Sequence, residues 1–457
     1  FMTLRFRRWL FTAFVLAFLI MASVIIPYAF GYKLDPAGFK LQKTGMFVIE
    51  TEPKGALIYL NKQLQTSKFL MFSGNEEKAI KSPAKLSHIT PNTYTVRLEL
   101  DGYWPWEKEL TVKASETTYL EDVKFFKRNL PELILDLNLK NIITSSSSPD
   151  REYLAYSTDK EISLYNFTDQ STKVLASGKY KQISWSKDSQ WVFTGLLAIN
   201  IKDGSVVNLE KVASGIMTPF WPAAESNQLC YQNKNGVYQL NLKSSESKVL
   251  FIKSGEKNAP IIDCLIKDGY SYIIKQSKNQ SVVIIAKPGE TKELGIINLP
   301  RLANYSFINS DSKWLNVLDN NNHKLMLIDV NLPWTSQYTL KNINNQANVS
   351  YWIDSHRLLY ANDFEIWLYD TTTNKDTLLT RIGHTINNVF WHPSRNYIIF
   401  ATDSNINSLE LDNRERHNIT KLLEMPIVGK AEMDKAGKTI NFFGQIGQKE
   451  GYWQLEL

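Results

Sequence analysis

The sequence predicts an all-β protein behind one apolar N-terminal helix, with a small β-sandwich and then an eight-bladed β-propeller (alternative: seven blades) closed by a strand from the start of that domain. Three observations predict this. Trp9–Phe30 is a 22-residue run without a charge. Residues 46–127 hold short runs that alternate apolar and polar side chains. Residues 128–457 repeat a block of β-type runs every 36–44 residues.

The chain is long enough for about three domains at ~150 residues each. With 43% apolar and 21% charged residues it can bury cores, which excludes wholesale disorder. The net charge is +6, and Arg5, Arg7 and Arg8 supply three of those charges before Trp9. Residues 129–457 carry 34 basic and 34 acidic side chains, so the body lacks the basic footprint a duplex-binding protein needs. No nucleic-acid partner is expected.

As a helix, Trp9–Phe30 would reach ~33 Å, enough for a bilayer core of ~30 Å. Three arginines precede it and only Lys33 closely follows, which holds residues 1–8 in the cytoplasm and sends the rest outside. Ala29 and Gly31 offer small residues at a signal-peptide cleavage spacing, but secretory apolar regions run ~7–15 residues, so the segment reads as an uncleaved anchor. Residues 31–45 contain Gly, Pro and lysines without periodicity and read as a linker. Cys230 and Cys264 are too few for a disulfide framework or a cysteine zinc site; they read as buried thiols, or as one bridge if the fold joins them.

In the sandwich region, two β-type runs meet at Pro53-Lys54-Gly55-Ala56, and TYTVRLELDGYWPWEKELTVKA alternates like half-buried antiparallel strands. Pro53, Gly55 and Ala56, followed by Tyr59, Asn61, Ser82-Pro83, Pro91-Asn92 and Gly102-Tyr103, resemble the PEGA domain. Lys54 replaces the family's Glu, Ser82 its Thr, and Asn92 its second Gly; Asn is the usual substitute for Gly in left-handed turns. Residues 62–81 read as an insertion carrying the apolar run 69–72. The resemblance implies a small β-sandwich of extracytoplasmic and surface proteins, and implies no activity.

In the repeats, a turn signature follows an anchor at Ser147, Trp185, Trp221, Leu265, Ile308, Tyr351, Trp391 and Ala431. Three positions on stand Asp150, Asp188, Ala224, Asp268, Asp311, Asp354, Ser394 and Asp434. An Asx turn between two strands explains the aspartates, since a short carboxylate accepts a neighbouring backbone N–H. One carboxylate per turn falls short of a calcium shell of 6–8 oxygens. Second and third runs follow each turn, and a polar fourth run closes the first seven blocks, among them VVNLE (206–210), SQYTLK (336–341) and RHNIT (416–420). The eighth block lacks a fourth run, and PELILDLNL at 131–139 is the spare strand that can complete it. The pattern resembles WD-repeat propellers and, more closely, TolB-like ones; Gly383-His384 with Trp391 imitates a WD-repeat opening once. Such propellers host many unrelated functions.

No catalytic motif of the nucleophile-elbow, P-loop, dinucleotide, H-E-x-x-H or EF-hand type is present, and no two of the six histidines have metal-ligand spacing on one element. No cofactor or metal is expected. Trp185, Trp221, Trp352 and Trp391 lie at or beside repeat anchors and read as packing between blades. Trp104 and Trp106 flank Pro105 beside a turn, and Trp334 lies in NLPWTS between strands, so these three are the candidate partner contacts; packing against adjoining structure is the alternative. The expected function is a non-enzymatic, membrane-anchored binding scaffold of the bacterial cell envelope that recognises a protein or cell-wall glycan. The alternative is a propeller hydrolase or lyase acting on envelope polysaccharide, which needs carboxylates converging on a channel.

Overall fold

The computed structural model describes residues 4–35, 40–68, 77–213, 215–220, 227–252, 260–290, 292–308, 312–329 and 340–457. The chain divides into two compact units. The first holds residues 1–129 with 394–397 and 408–422; the second holds 130–393, 398–407 and 423–457.

The first unit begins with a helix, Leu4–Ala29, in which no residue is buried. It takes in Arg5, Arg7 and Arg8, so the basic cluster is helical rather than a separate tail. The helix is long and apolar enough to cross a membrane, a property that signal sequences share. The expected linker 31–45 contains structure: Tyr32–Asp35 pairs with Lys40–Lys43. The hairpin is held by backbone pairing, which leaves no side-chain period to announce it in the sequence.

The sandwich follows in two sheets. One has the order Trp106–Val112, Asn92–Glu99, Leu57–Leu60, Gln63–Leu64; the other has Thr117–Lys124, Gly45–Glu52, Ala84–Ile89. Thr117–Lys124 runs parallel to Gly45–Glu52. The period-2 pattern of the sequence puts Phe47, Ile49, Ile58, Val96, Leu98, Trp106, Leu110 and Leu120 into a common core. The insertion carries a hairpin of Thr66–Lys68 with Glu77–Ala79; its apolar run 69–72 lies outside the described residues.

Residues 130–457 contain four-stranded antiparallel sheets in sequence order; within the seventh, 394–397 and 408–422 are counted with the first unit. Thr144–Ser147, Tyr153–Ser157, Glu161–Asn166 and Ser171–Ser177 form the first sheet. Six more, built the same way, occupy 184–208, 218–252, 261–298, 305–346, 349–381 and 386–424. In the last, Ile427–Met433, Thr439–Ile446 and Lys449–Glu456 are joined by Glu132–Asp136, which pairs antiparallel with Lys449–Glu456. Three outer strands depart from the expected bounds. Val206–Asn208 gives way to a helical turn at Leu209–Val212, and the outer strands of the fifth and seventh sheets lie further along, at Leu340–Gln346 and Ile419–Glu424. Among the described residues these last two strands bury few side chains, Ile343 in one and Leu422 in the other, so their register is weakly written in the sequence.

Apolar layers lie between consecutive sheets. Trp185, Val192 and Ile199 pack on Ala155, Ile162 and Leu164 between the first and second. Leu265, Tyr272 and Ile285 pack on Tyr305, Leu315 and Val317 between the fourth and fifth. Trp352, expected as inter-sheet packing, borders the layer between the fifth and sixth. The last sheet packs on the first through Phe443 and Tyr452 against Leu154, Tyr156 and Tyr165.

Candidate functional site

The PEGA-like turn is held by one hydroxyl. Ser82 Oγ accepts the backbone N–H groups of Ala56 at 3.0 Å and Gly55 at 3.2 Å, and shares a hydrogen bond with Thr51 Oγ1 at 2.6 Å. The Ser82 carbonyl accepts Gly55 N–H a second time, at 2.8 Å. Thus the Pro53-Lys54-Gly55-Ala56 turn and the Ser82-Pro83 step, well separated in sequence, form one hydrogen-bonded unit. At the other end of the motif, the Gly102 carbonyl accepts Arg128 N–H at 2.9 Å and Tyr103 lies edge-on to Phe125.

The three candidate tryptophans fare differently. Trp104 is half-buried beneath the Arg128 guanidinium, 5.2 Å from the ring, and its Nε1 is buried without a hydrogen-bond partner. Trp106 is not an exposed ring: it is 5% exposed and belongs to the sandwich core. Its place at the start of Trp106–Val112 puts it in phase with Leu110 and Val112, the inward positions of that strand. Trp334 lies outside the described residues.

Lys108 shares that inward phase, so the strand buries an ammonium. Within the first unit its Nζ meets Glu410 Oε2 at 3.2 Å, Asp412 Oδ2 at 3.6 Å and the Asp412 carbonyl at 2.6 Å. Trp106 Nε1 donates to the same Glu410 oxygen at 3.2 Å. Arg414 completes the group, donating to Asp412 and, at 2.8 Å, to the Tyr119 carbonyl. Two carboxylates thus face two cations. Burial pushes the Glu410 carboxyl up, against the pull of Lys108. Burial also opposes ionisation of Asp412, but the Arg414 hydrogen bonds outweigh it and hold that carboxyl low. A cavity of about 330 Å³ adjoins the group, lined by residues 119–123, Asn396, 410–412 and Arg414. The charges satisfy one another within the first unit. The sequence signal for it was available: a Lys on the apolar phase of an alternating strand requires a buried acid.

The repeat aspartates cap turns. Asp150 Oδ1 accepts Glu152 N–H at 3.1 Å, Asp188 Oδ1 accepts Gln190 N–H at 3.2 Å, Asp354 Oδ1 accepts His356 and Arg357 N–H at 2.8 Å, and Asp434 Oδ1 accepts Thr439 N–H at 2.9 Å. Asp268 is different. Lys267 pairs with Tyr270, and the two residues between them, Asp268 and Gly269, have φ of +51° and +79°, the form of a type I′ hairpin turn. Asp311, Trp221 and Ala224 lie outside the described residues. Among the described residues no group of three or more His, Cys, Asp or Glu could hold a metal ion. His392 is buried, with Nε2 3.0 Å from the Gly437 carbonyl.

A second lacing, not expected from the sequence, joins first strands of neighbouring sheets. Trp185 Nε1 donates to the Ser146 carbonyl at 2.9 Å. Asp263 Oδ2 accepts Phe307 N–H at 2.8 Å, and Asn388 Oδ1 accepts Ala431 N–H at 2.9 Å. Glu432 Oε1 accepts Ser147 N–H at 3.4 Å, from the last sheet to the first. Burial pushes the Asp263 carboxyl up to about 6, although its bonds to Phe307 and Cys264 N–H pull the other way. Only residue spacing across two blocks, not local pattern, announces these bonds.

Residues 74–125 match the model of the PEGA domain. The matched stretch includes Gly102 and Tyr103 and excludes Pro53, Gly55 and Ala56. No curated protein matches the chain. Among solved structures, the chain is similar to the C-terminal WD40 domain of Sif2 (15% identity, 72% of this chain and 99% of that one, TM-score 0.47). It is similar to the Dos1 propeller at 13% identity, 72% and 94% coverage and a TM-score of 0.47. It is also similar to the Myceliophteria thermophila Cps50 (Swd1) β-propeller domain, at 10% identity, 71% and 100% coverage and a TM-score of 0.41.

Proposed function

We propose that the chain is a membrane-anchored, non-enzymatic binding scaffold of the bacterial cell envelope, with an eight-bladed propeller closed by Glu132–Asp136 as its recognition module. The observation that carries this reading is the pairing of Glu132–Asp136 with Lys449–Glu456, together with the packing of the last sheet on the first. A ring closed in this way leaves few sheet edges free and presents its connecting loops as a rigid surface. The unburied 26-residue helix supports the anchor, and Arg5, Arg7 and Arg8 support a cytoplasmic N-terminus with the rest outside. The PEGA-type match fits that placement. The partner is an envelope protein or a cell-wall glycan, met by the loops.

The test uses the full chain purified in detergent, offered separately to purified wall polymer and to solubilised envelope proteins. Saturable retention of one of them, competed by the free partner, supports the scaffold. Release of reducing sugar from the polymer would instead establish the hydrolase or lyase. Proteolysis of intact cells should remove the bulk of the chain, and full protection overturns the outward placement.

A further inference from the structure

The chain has two cysteines in 457 residues, and the fold sets them against each other. Cys230 lies in the second strand of the third sheet, Gln228–Gln232, and Cys264 in the first strand of the fourth, Ile261–Lys267. Their Sγ atoms are 2.9 Å apart. Both side chains are buried among Val237, Leu250, Phe251, Ile261 and Ile273. A thiol is a weak donor and a weak acceptor, so the pair gains little from being placed together as thiols. Elsewhere neighbouring sheets are laced by side chain to backbone; between these two sheets the facing atoms are sulfurs.

We propose that Cys230 and Cys264 form a disulfide that pins the third and fourth sheets together. The oxidant is a disulfide of the R–S–S–R class, from a small thiol or a protein. The thiolate of one cysteine attacks it, forming a mixed disulfide and releasing one R–S⁻. The thiolate of the other cysteine then attacks the protein sulfur, forming the Cys230–Cys264 bond and releasing the second R–S⁻. The two cysteine protons end on the two leaving thiolates, so R–S–S–R is reduced to two R–SH as the protein loses two hydrogens. The exchange belongs to folding, before the two sheets close. In a chain whose sheets close while still reduced, burial pushes the Cys264 thiol well above its ordinary range, which suppresses thiolate attack inside the core.

Formation in the cell rests on the outward placement proposed above, because disulfides persist in oxidising compartments. The experiment separates the two claims. The full chain in detergent is unfolded, refolded with oxidised glutathione, denatured again and treated with a maleimide. Neither cysteine should be alkylated and the intact mass should show no added glutathione; the melting temperature of the protein should fall by several degrees on reduction, whereas Cys230→Ser and Cys264→Ser show no such redox shift. Alkylation of both cysteines after that oxidation overturns the proposal. A bridge formed with glutathione in protein isolated with two free thiols supports the pairing and counts against the outward placement. A bridge already present on isolation supports both.

Discussion

Leu133 stands opposite Trp453 in the antiparallel register of Glu132–Asp136 with Lys449–Glu456, so the start of the second unit supplies the edge of its final sheet. The same sheet reaches the first one through Tyr452 and Phe443. The start and the end of the second unit thereby share one sheet, and stability of that unit becomes sensitive to either.

The Lys108–Glu410 pair is costly to break from one side. Their side chains are 1% and 6% exposed. Lys108→Met leaves the Glu410 carboxylate without its buried cation and is expected to cost about 3–5 kcal/mol. Adding Glu410→Gln to that variant should recover part of the loss. Chemical denaturation of the single and double variants checks both, and the deficit of Lys108→Met should be smaller at pH 5 than at pH 8, since Glu410 can then protonate.

Ser82 holds the sandwich turn through two backbone N–H groups. Ser82→Ala removes that acceptor at a buried position and should cost about 1–3 kcal/mol. Ser82→Thr, the residue the PEGA pattern carries there, should retain most of the stability. Thermal melts of the two variants distinguish the hydroxyl's role from simple loss of volume.

Asp263 gives the second unit a pH dependence of definite sign. Its carboxyl titrates at about 6 folded against 3.8 in the unfolded reference. Between these values the native state binds more protons than the unfolded one. This contribution is therefore fully present below pH 3.8 and is lost as pH rises through 6. The wild type should gain about 2–3 kcal/mol relative to Asp263→Asn as pH falls from 7 to 4. Urea denaturation across that range measures the difference; parallel profiles for the two proteins would contradict it.

Much of the strand order was legible because strands write their burial with a period of two and the turns between them use Asx caps, as at Asp150, Asp188, Asp354 and Asp434. The spare strand at 131–139 was legible from a missing fourth run. What escaped reading depends on partners distant in sequence. Trp106 looked exposed beside Pro105, although its phase with Leu110 already assigned it to the core. Lys108 needed Glu410, and Ser82 needed Gly55 and Ala56; no local pattern names either partner. Asp268 matched the turn signature by position while the following Gly269 made a hairpin of another type.

The closing strand can be tested directly at Gly451, where an added Cβ would collide with the Leu135 carbonyl oxygen. Hydrogen exchange followed by mass spectrometry should be compared between the wild type and Gly451→Ala. The account predicts faster exchange in Gly451→Ala within residues 132–136 and also in Tyr153–Ser157 of the first sheet, far away in sequence. Faster exchange confined to the neighbourhood of residue 451, with 132–136 as protected as before, would contradict it.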